Sequence, residues 1–442
     1  MERIGPRFAG DLAHRAVATV VRIIDEAGAP LVNTGVSVEQ VKHAFGFGNI
    51  GFDFVSVANG EEILDHDSPF GGAHPELAKQ AEKDFFDLFN FVTLPFYWAG
   101  FEPEQGRPDT ERLKRAAQWI RDRGAEVKGH PLAWHTLAPK WLLDMTVKQI
   151  RDAIHTRITR DVTDFAGVID MWDAINEVVI MPIFDKEENG LTRLCQSIGR
   201  IETIRLAVDT AREANPGVTL LLNDFNMSSD YERLIEECLD AGIQLDALGL
   251  QSHMHQGYWG EEKTREILGR FSRFGLPIHM TETTLVSGHI MPAHIVDLND
   301  YQIPEWPSTS EGEARQAEEI QRHYTTVFSH PNVEALTYWG FSDDGSWLGA
   351  PVGLVRRDGS AKPSLEALRG LIKGQWWVPP TQVVTDDQGC IELHGCAGRY
   401  RVECDEDAGA AAGGTRSAEG APARTSEFDA TPATGEVTIR LS

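Results

Sequence analysis

The stretch Met171-Trp-Asp-Ala-Ile-Asn-Glu177 decides the fold, because an apolar run ends there on an amide and a carboxyl group. The same arrangement returns at Leu250-Gln-Ser-His253 and at Met280-Thr-Glu282. Each run has the length of a buried strand. In barrels of alternating strands and helices, reactive side chains lie at the carboxyl ends of the strands. The three stretches therefore predict buried strands whose polar ends face one common side.

Helical segments separate most of the strand candidates. Asp109 or Thr110 begins a helix with apolar residues at i, i+3, i+4 and i+7, Gly124 ends it, and 125–130 follows as a strand. Eight strand candidates occur along the chain: 43–50, 90–94, 125–130, 169–175, 218–223, 246–251, 277–282 and 334–340. Eight strands alternating with helices over about 330 residues predict an α/β fold, a (β/α)8 TIM barrel. A doubly wound open sheet is the competing architecture.

Both ends of the chain add β structure to the predicted barrel, which occupies 43–377. Residues 1–42 are predicted as an N-terminal β extension, a hairpin packed on the barrel. Residues 378–442 alternate like short strands and predict a small β-module, for which a structural role is favoured over carbohydrate binding. Within this module, 405–427 is rich in Ala, Gly, Ser and Thr and is predicted as a disordered loop.

Composition excludes several classes of protein. The chain has 442 residues, 41% hydrophobic and 24% charged, an ordinary globular balance. Lys and Arg minus Asp and Glu gives 41 − 67 = −26, and such a negative field repels nucleic acid and anionic membranes. No apolar run reaches the 18 residues of a membrane span. We therefore expect neither nucleic acid nor a membrane as a partner, and the oligomeric state stays open.

The N-terminus and the cysteines leave two questions open. Met1-Glu-Arg-Ile-Gly-Pro-Arg7 has no apolar signal segment, so either the protein stays inside the cell or a signal peptide has been removed. The five cysteines are irregularly spaced, which argues against a disulfide framework. A bridge among Cys390, Cys396 and Cys404 is the less favoured alternative to reduced thiols.

The predicted strand ends supply the candidate site. Its members are His130, Trp134, His135, Asn176, Glu177, Asn223, Gln251, His253, Glu282 and Trp339. Two carboxyl groups suit glycoside hydrolysis, because one donates a proton to the leaving oxygen while the other attacks or activates water. Indole rings stack on sugars, and amides and imidazoles bind sugar hydroxyls. The pattern predicts a hydrolase acting on a neutral polysaccharide or oligosaccharide, with no metal and no cofactor.

The motifs resemble those of family-10 glycoside hydrolases, the xylanase family. The matching stretches are Gly129-His-Pro-Leu-Ala-Trp-His135, Trp172-Asp-Ala-Ile-Asn-Glu177, Leu222-Asn-Asp-Phe-Asn226, Leu250-Gln-Ser-His253, Met280-Thr-Glu282, Tyr338-Trp-Gly340, Asp344-Gly-Ser-Trp-Leu348 and Lys362-Pro363. The resemblance implies a retaining barrel enzyme, with Glu177 as acid/base and Glu282 as nucleophile. It also places Asn176 on the sugar 2-hydroxyl and has His253 hold the nucleophile.

The resemblance assigns the sugar before the cleaved bond, the glycone, to one set of residues: His130, Trp134, Gln251, Trp339 and Trp347. One stretch departs from the family. Xylanases of this family carry Glu-Asn and then Lys after the second strand, whereas here Thr93-Leu-Pro-Phe-Tyr-Trp98 stands. Tyr97 and Trp98 become candidate glycone contacts. An endo-β-1,4-xylanase is the first hypothesis, and an exo-acting or altered-specificity β-glycosidase of the same fold is the alternative.

Three weaker patterns complete the alternatives. His253-Met-His255, with His130 and His135, is compatible with a metal-dependent barrel hydrolase. A sugar-binding barrel without activity is a second rival, although both glutamates are present. Gly46-Phe-Gly-Asn-Ile-Gly51 fits a dinucleotide fingerprint only formally, because Phe52-Asp-Phe-Val-Ser does not continue as the helix that such a site requires.

Overall fold

The computed structural model describes residues 1–61, 72–404 and 424–441. The chain divides into two compact units. One comprises Met1–Phe45, Phe328–Pro331 and Ala367–Ser442, and the other comprises Gly46–Val327 and Asn332–Glu366. Within the described residues, no helix is both long and apolar enough to cross a bilayer.

The second unit is a closed barrel of eight parallel strands. In chain order they are β1 Gly46–Ile50, β2 Phe91–Pro95, β3 Glu126–His130, β4 Met171–Asn176, β5 Thr219–Asp224, β6 Ala247–Met254, β7 Ile278–Leu285 and β8 Val333–Tyr338. Each strand pairs with its neighbours in sequence, and β8 pairs with β1 to close the ring. The predicted (β/α)8 barrel is confirmed, and the open sheet is excluded.

Helices connect the barrel strands and cover them. The α-helices span Asp53–Ala58, Pro75–Leu88, Trp98–Phe101, Thr110–Arg121, Val147–Asp164, Gly190–Ile198, Arg200–Ala214, Ser229–Asp240, Glu261–Ser272, Ser310–Phe328 and Pro363–Arg369. Shorter turns of 3-10 helix lie at Gly10–Arg15, Lys140–Asp144, Met181–Ile183, Leu298–Asp300 and Trp347–Gly349, and a π-helical turn lies at Gly370–Gln375. The helix Val147–Asp164 shows how the sequence specifies one of these helices. A capping box of Thr146 and Gln149 begins it, and Ile150, Ile154 and Ile158 form its buried face.

Glycines and bulges shape the strand ends that carry the candidate residues. A Cβ on Gly129 would overlap the Trp172 ring, and one on Gly249 would overlap Asn223, so only glycine leaves room for these side chains. The register of β4 against β5 shifts between Asp173 and Ile175, and that of β7 shifts after Thr281. Such bulges turn side chains away from the regular alternation of a strand.

The first unit contains two four-stranded sheets. Their strands are Arg3–Ile4, Ala16–Ile24, Gly35–His43, Thr381–Val384, Cys390–Cys396, Gly398–Cys404, Arg424–Ala430 and Glu436–Arg440. Apolar side chains from both sheets, among them Val21, Val38, Leu393 and Val402, form one buried cluster. The alternation of buried and exposed residues along these strands follows from one packed face and one solvated face.

The predicted N-terminal hairpin is wrong, although both of its strands exist. Ala16–Ile24 lies between Cys390–Cys396 and Glu436–Arg440, whereas Gly35–His43 lies in the other sheet, between Thr381–Val384 and Gly398–Cys404. Ala16–Ile24 and Gly35–His43 are thus each flanked on both edges by C-terminal strands, which leaves neither of them an edge for the other. The segments 1–42 and 378–442, predicted as separate additions, interleave strand by strand.

Of the predicted loop at 405–427, the structure describes only the last four residues. Residues 405–423 lie outside the described residues, and 424–427 belong to the strand Arg424–Ala430, so the prediction of disorder fails for these four. That strand pairs antiparallel with Gly398–Cys404 along its whole length. All five cysteines are buried, and no disulfide joins any of those that the structure describes.

Candidate active site

Glu177 follows the last residue of β4 in a left-handed backbone conformation, with φ of 57°. Its amide N–H donates to the carbonyl of Asn223 at 2.9 Å. Its carboxyl group accepts hydrogen bonds from Trp134 Nε1 at 2.8 Å and from Gln251 Nε2 at 3.2 Å. The ends of β3, β5 and β6 therefore fix the backbone and the side chain of Glu177.

Glu282 lies within β7, at the bulge, and also has positive φ, at 58°. Its side chain is buried, with 7% of its surface exposed. Asn223 Nδ2 donates to one carboxylate oxygen at 2.8 Å, and His253 Nε2 lies 3.0 Å from the other. His130 Nε2 lies 3.9 Å from the first oxygen. Glu282 is thus surrounded by donors.

The two carboxyl groups have opposite electrostatic environments. Burial, the nearby charge of Glu282 and that of Asp224 raise the pKa of Glu177 to about 8. Burial also acts to raise the pKa of Glu282, but the electrostatic effect of His130 and the hydrogen bond with His253 outweigh it, and the pKa falls below its ordinary value. At neutral pH, Glu177 holds a proton and Glu282 is ionised. This is the division that paired acid and nucleophile roles require.

A buried ion pair behind the site orients His130. Its Nδ1 lies 2.7 Å from an oxygen of Asp173, and Lys128 Nζ lies 2.8 Å from the same carboxylate. Burial opposes ionisation of Asp173, yet Lys128 and His130 hold its pKa below the ordinary value. The His130 ring is therefore fixed with Nε2 directed toward Glu282.

An amide network connects the two carboxyl groups. Asn176 Oδ1 accepts from Asn223 Nδ2 at 2.9 Å and from Gln251 Nε2 at 3.1 Å. These bonds fix the orientation of the Asn176 amide, whose Nδ2 is buried and has no hydrogen-bond partner among the described residues. An unsatisfied buried donor at this place is available to a ligand hydroxyl.

Aromatic rings surround the paired carboxyl groups. The ring centre of Trp339 is 5.2 Å from that of His130, and the ring centre of Trp347 is 4.9 Å from that of His253. Tyr97 packs 5.6 Å from Trp134. Burial and the charges of Glu282 and Glu177 raise the pKa of Tyr97 well above its ordinary value.

Two predicted residues are not brought to the carboxyl groups. Trp98 is buried, and its Nε1 donates to the carboxylate of Glu102 at 2.9 Å. The Arg157 guanidinium lies 4.7 Å from the centre of the Trp98 ring, so Trp98 contacts Glu102 and Arg157 instead of the two catalytic candidates. His135 is buried against Phe184, with ring centres 4.4 Å apart, and burial lowers its pKa to about 4. The remaining predicted residues surround Glu177 and Glu282.

The sequence analysis did not identify the buried charged residues that hold the site residues in position. Lys128 and Asp173 both lie inside otherwise apolar strands, and a charge in a buried run was the available signal. Asp224 is also buried; it accepts from the amide of Val179 at 3.1 Å, and burial raises its pKa to about 7. For a metal ion, the described part of the chain contains no group of three His, Cys, Asp or Glu side chains suitably arranged.

The sequence of the barrel unit matches a known family over most of its length. Residues 75–370 fit Glycosyl hydrolase family 10. The chain belongs to this family. Its family-10 region includes both glutamates and every barrel strand from β2 to β8.

Relatives of the chain carry two kinds of name. The anti-sigma-I factor RsgI6 of Acetivibrio thermocellus is 23% identical over 390 residues, covering 86% of this chain and 44% of that protein. Endo-1,4-beta-xylanase B of Thermotoga neapolitana is 26% identical over 273 residues, covering 59% of this chain and 72% of the relative. The chain thus spans less than half the length of the first relative.

Solved structures of family-10 members share the fold. Xylanase 10B from Thermotoga petrophila, in complex with xylobiose, superposes with a TM-score of 0.59 at 22% identity, covering 75% of this chain and 94% of that one. A family-10 structure from Paenibacillus barcinonensis gives a TM-score of 0.58 at 23% identity, with 74% and 94% covered. At this identity the likeness concerns the fold.

Proposed function

We propose that this family-10 chain is a retaining glycoside hydrolase, with Glu177 as general acid/base and Glu282 as nucleophile. The observation that carries the proposal is the pairing of two buried carboxyl groups, Glu177 just after β4 and Glu282 within β7, which accept hydrogen bonds from different partners. The raised pKa of Glu177 favours its protonated state, and the lowered pKa of Glu282 favours its ionised state. Retaining enzymes need these two states in neighbouring carboxyl groups.

In the first step, the Glu282 carboxylate attacks the anomeric carbon while the bond from that carbon to the leaving oxygen breaks. Glu177 donates its proton to that oxygen, so the leaving group departs as an alcohol. The product is a glycosyl ester of Glu282. Donation by Asn223 and His253 to the carboxylate holds its oxygens in place for the attack.

In the second step, water attacks the anomeric carbon from the side that the leaving group has vacated. Glu177, now ionised, removes a proton from this water, and the bond to Glu282 breaks. Both carboxyl groups return to their starting states. The free Nδ2 of Asn176 is placed to donate to a sugar hydroxyl during both steps.

We take the substrate to be a β-1,4-linked xylan-type glycan. This inference rests on the relatives named endo-1,4-beta-xylanase, including one from Geobacillus stearothermophilus that is 26% identical, with the alignment covering 90% of it. The strong negative charge of the chain, −26, is compatible with a neutral polysaccharide.

A second candidate is an exo-acting or altered-specificity β-glycosidase of the same fold. The position of Tyr97 favours it, because this aromatic ring packs on Trp134 and His130 beside the two glutamates. A phenol there fills space and offers one polar group, whereas the family pattern supplies charged and amide donors. Such a site accepts one glycone sugar more readily than a chain of sugars.

Product stereochemistry tests the proposal. The purified chain is assayed on xylan, glucans, mannan and aryl β-glycosides, and the first anomer released is identified by proton NMR. Retained configuration supports the mechanism, and an inverted product contradicts it. Glu282→Ala is expected to lose turnover while keeping its circular dichroism. The control is Glu318→Ala, at an exposed position 72% accessible to solvent. Turnover by Glu282→Ala at the wild-type rate would also contradict the assignment.

A further inference from the structure

Two loops at the barrel mouth, from strands that are not neighbours, meet through an ion pair. Lys186 follows β4, and its Nζ lies 3.0 and 3.1 Å from the carboxylate oxygens of Asp300, which follows β7. A carboxylate oxygen of Asp297 lies 3.8 Å from the same Nζ. Since β5 and β6 separate β4 from β7 in the ring, the pair connects loops whose strands are not neighbours. We call residues 178–189 and 286–309 together the strap.

The β7 half of the strap has a core of its own. Val286, Met291 and Trp306 are buried in one cluster with residues that follow β8. Trp306 Nε1 donates to the carbonyl of His289 at 2.9 Å, and the His289 ring lies 2.8 Å from the hydroxyl of Tyr301. Asp297 and Asp300 therefore belong to a loop whose conformation is fixed by its own packing and hydrogen bonds.

Both halves of the strap are attached to the strand ends between them. On the β4 half, the amide of Val179 donates to the buried carboxylate of Asp224, at the end of β5. On the β7 half, Gln256, just past β6, donates from Nε2 to the carbonyls of Pro292 at 3.1 Å and Ile295 at 2.7 Å. The amide of Met291 donates to the carbonyl of His255 at 3.0 Å. The strap thus follows the β5–β6 side of the mouth.

Three of the four aromatic residues around the site lie on the other side of the mouth, and the fourth, Trp347, packs against His253 and His255 at the end of β6. Tyr97, Trp134 and Trp339 follow β2, β3 and β8. Under the proposed function, on which this inference rests, those residues contact the glycone. The leaving group must then lie on the β5–β6 side, where the strap runs.

We propose that the strap encloses the leaving-group side of the cleft, and that the Lys186 ion pair makes the enzyme select short leaving groups over polysaccharide chains. A short alcohol or aryl group fits beneath a closed rim. A long chain requires Lys186 to separate from Asp300 before it can lie across the rim. Lys186 is therefore a specificity-determining residue that does not touch the reacting atoms.

The strength of the ion pair sets the size of the expected effect. Lys186 and Asp300 are 53% and 58% exposed, so the pair is partly screened by solvent and further weakened by salt. Removal of the pair shifts the balance between closed and open loops by a modest factor. Reversal of one charge adds repulsion and is the sharper change.

The test compares the ratio of kcat/KM on xylan to kcat/KM on an aryl β-xyloside, which presents the same sugar with a short leaving group. Lys186→Glu is expected to raise this ratio about threefold to tenfold, through a lower KM for xylan. The double variant Lys186→Glu/Asp300→Lys restores the pair and is expected to return the ratio toward the wild-type value. The matched control is Lys148→Glu, because Lys148 is not part of the strap and forms an exposed pair with Asp152 at 2.8 Å within the helix Val147–Asp164.

Salt gives a second readout that does not depend on a mutation. For the wild type, the ratio is expected to rise between low and high ionic strength, whereas Lys186→Glu shows no such rise. An unchanged ratio in Lys186→Glu, with wild-type activity on the aryl xyloside, overturns the proposed role of the strap and leaves the proposed function intact. Wild-type activity on xylan with none on any aryl glycoside also overturns the proposed role of the strap, whereas absence of activity on both kinds of substrate overturns the proposed function instead.

Discussion

Glu177 and Glu282 share one unusual backbone conformation, with φ of 57° just after β4 and 58° at the bulge within β7, two strands that are not neighbours in the barrel. Side chains other than glycine pay about 1–2 kcal/mol for a left-handed residue. Both glutamates bear this cost, and in both strands the register also shifts. Strain of this kind persists where the surrounding structure enforces it, and it is concentrated at functional sites.

The pH dependence of activity is the first prediction. Because burial and the charge of Glu282 raise the pKa of Glu177 to about 8, kcat/KM is expected to fall as pH rises through that value. On the acid side, the lowered pKa of Glu282 keeps the nucleophile ionised, so activity falls only below about pH 4.5. The measurement is kcat/KM from pH 3 to 10.

The variant Glu177→Gln isolates the basic limb of that profile. With an aryl glycoside whose leaving group needs no proton, this variant is expected to keep part of the first step and to lose the limb near pH 8. A basic limb that survives in Glu177→Gln would assign the titration to another group and contradict the role of Glu177.

The stability of the chain is expected to depend on the same carboxyl group. The pKa of Glu177 is about 8 in the folded state and about 4.5 when unfolded, so the folded state binds more protons between these values. Stability contributed by the protonated group is therefore complete below about pH 4.5 and is lost as pH rises toward 8. Glu177→Gln removes this loss. Its free energy of unfolding in urea should exceed that of the wild type by more at pH 9 than at pH 5, whereas Glu318→Gln should follow the wild type.

The barrel could be predicted because each of its strands and helices is marked by a pattern of neighbouring residues in the sequence. Each strand is a short apolar run with a helix before the next run, and all eight predicted strands overlap the observed ones, as 169–175 overlaps Met171–Asn176. The hairpin prediction failed because the partners of Ala16–Ile24 are C-terminal. Cys390 pairs with Arg22 across most of the chain, and no local pattern records such a pairing.

Most of the site could be predicted because the strand ends converge by topology alone. The direction of a side chain just beyond a strand depends on distant contacts. The segment with Phe96 and Trp98 packs against the helix Val147–Asp164, about sixty residues later in the chain. Arg157 of that helix donates to the Phe96 carbonyl and lies against the face of the Trp98 ring. Tyr97, between Phe96 and Trp98, packs instead against His130 and Trp134.

Trp98 is expected to support stability rather than substrate binding. Trp98→Phe removes the hydrogen bond from Nε1 to Glu102 and leaves that buried carboxylate with fewer donors, at a cost of about 1–3 kcal/mol. Urea unfolding should show this loss, while KM for an aryl glycoside stays within about twofold of the wild type. A large rise in KM with unchanged stability would return Trp98 to the substrate site.

The glycone side is expected to bind one sugar well and further sugars poorly. The family pattern of Glu, Asn and Lys offers charge-assisted hydrogen bonds of about 1.5–3 kcal/mol each, and Phe96, Tyr97 and Trp98 supply no such set. Reducing-end-labelled linear xylo-oligomers should therefore lose single sugars from the non-reducing end, and plain xylan should react slowly. Tyr97→Ala opens the space beside Trp134 and is expected to move cleavage toward the middle of the oligomer, whereas Tyr97→Phe keeps the ring and the wild-type pattern. Efficient mid-chain cleavage by the wild type would contradict this prediction and favour an ordinary endo-xylanase.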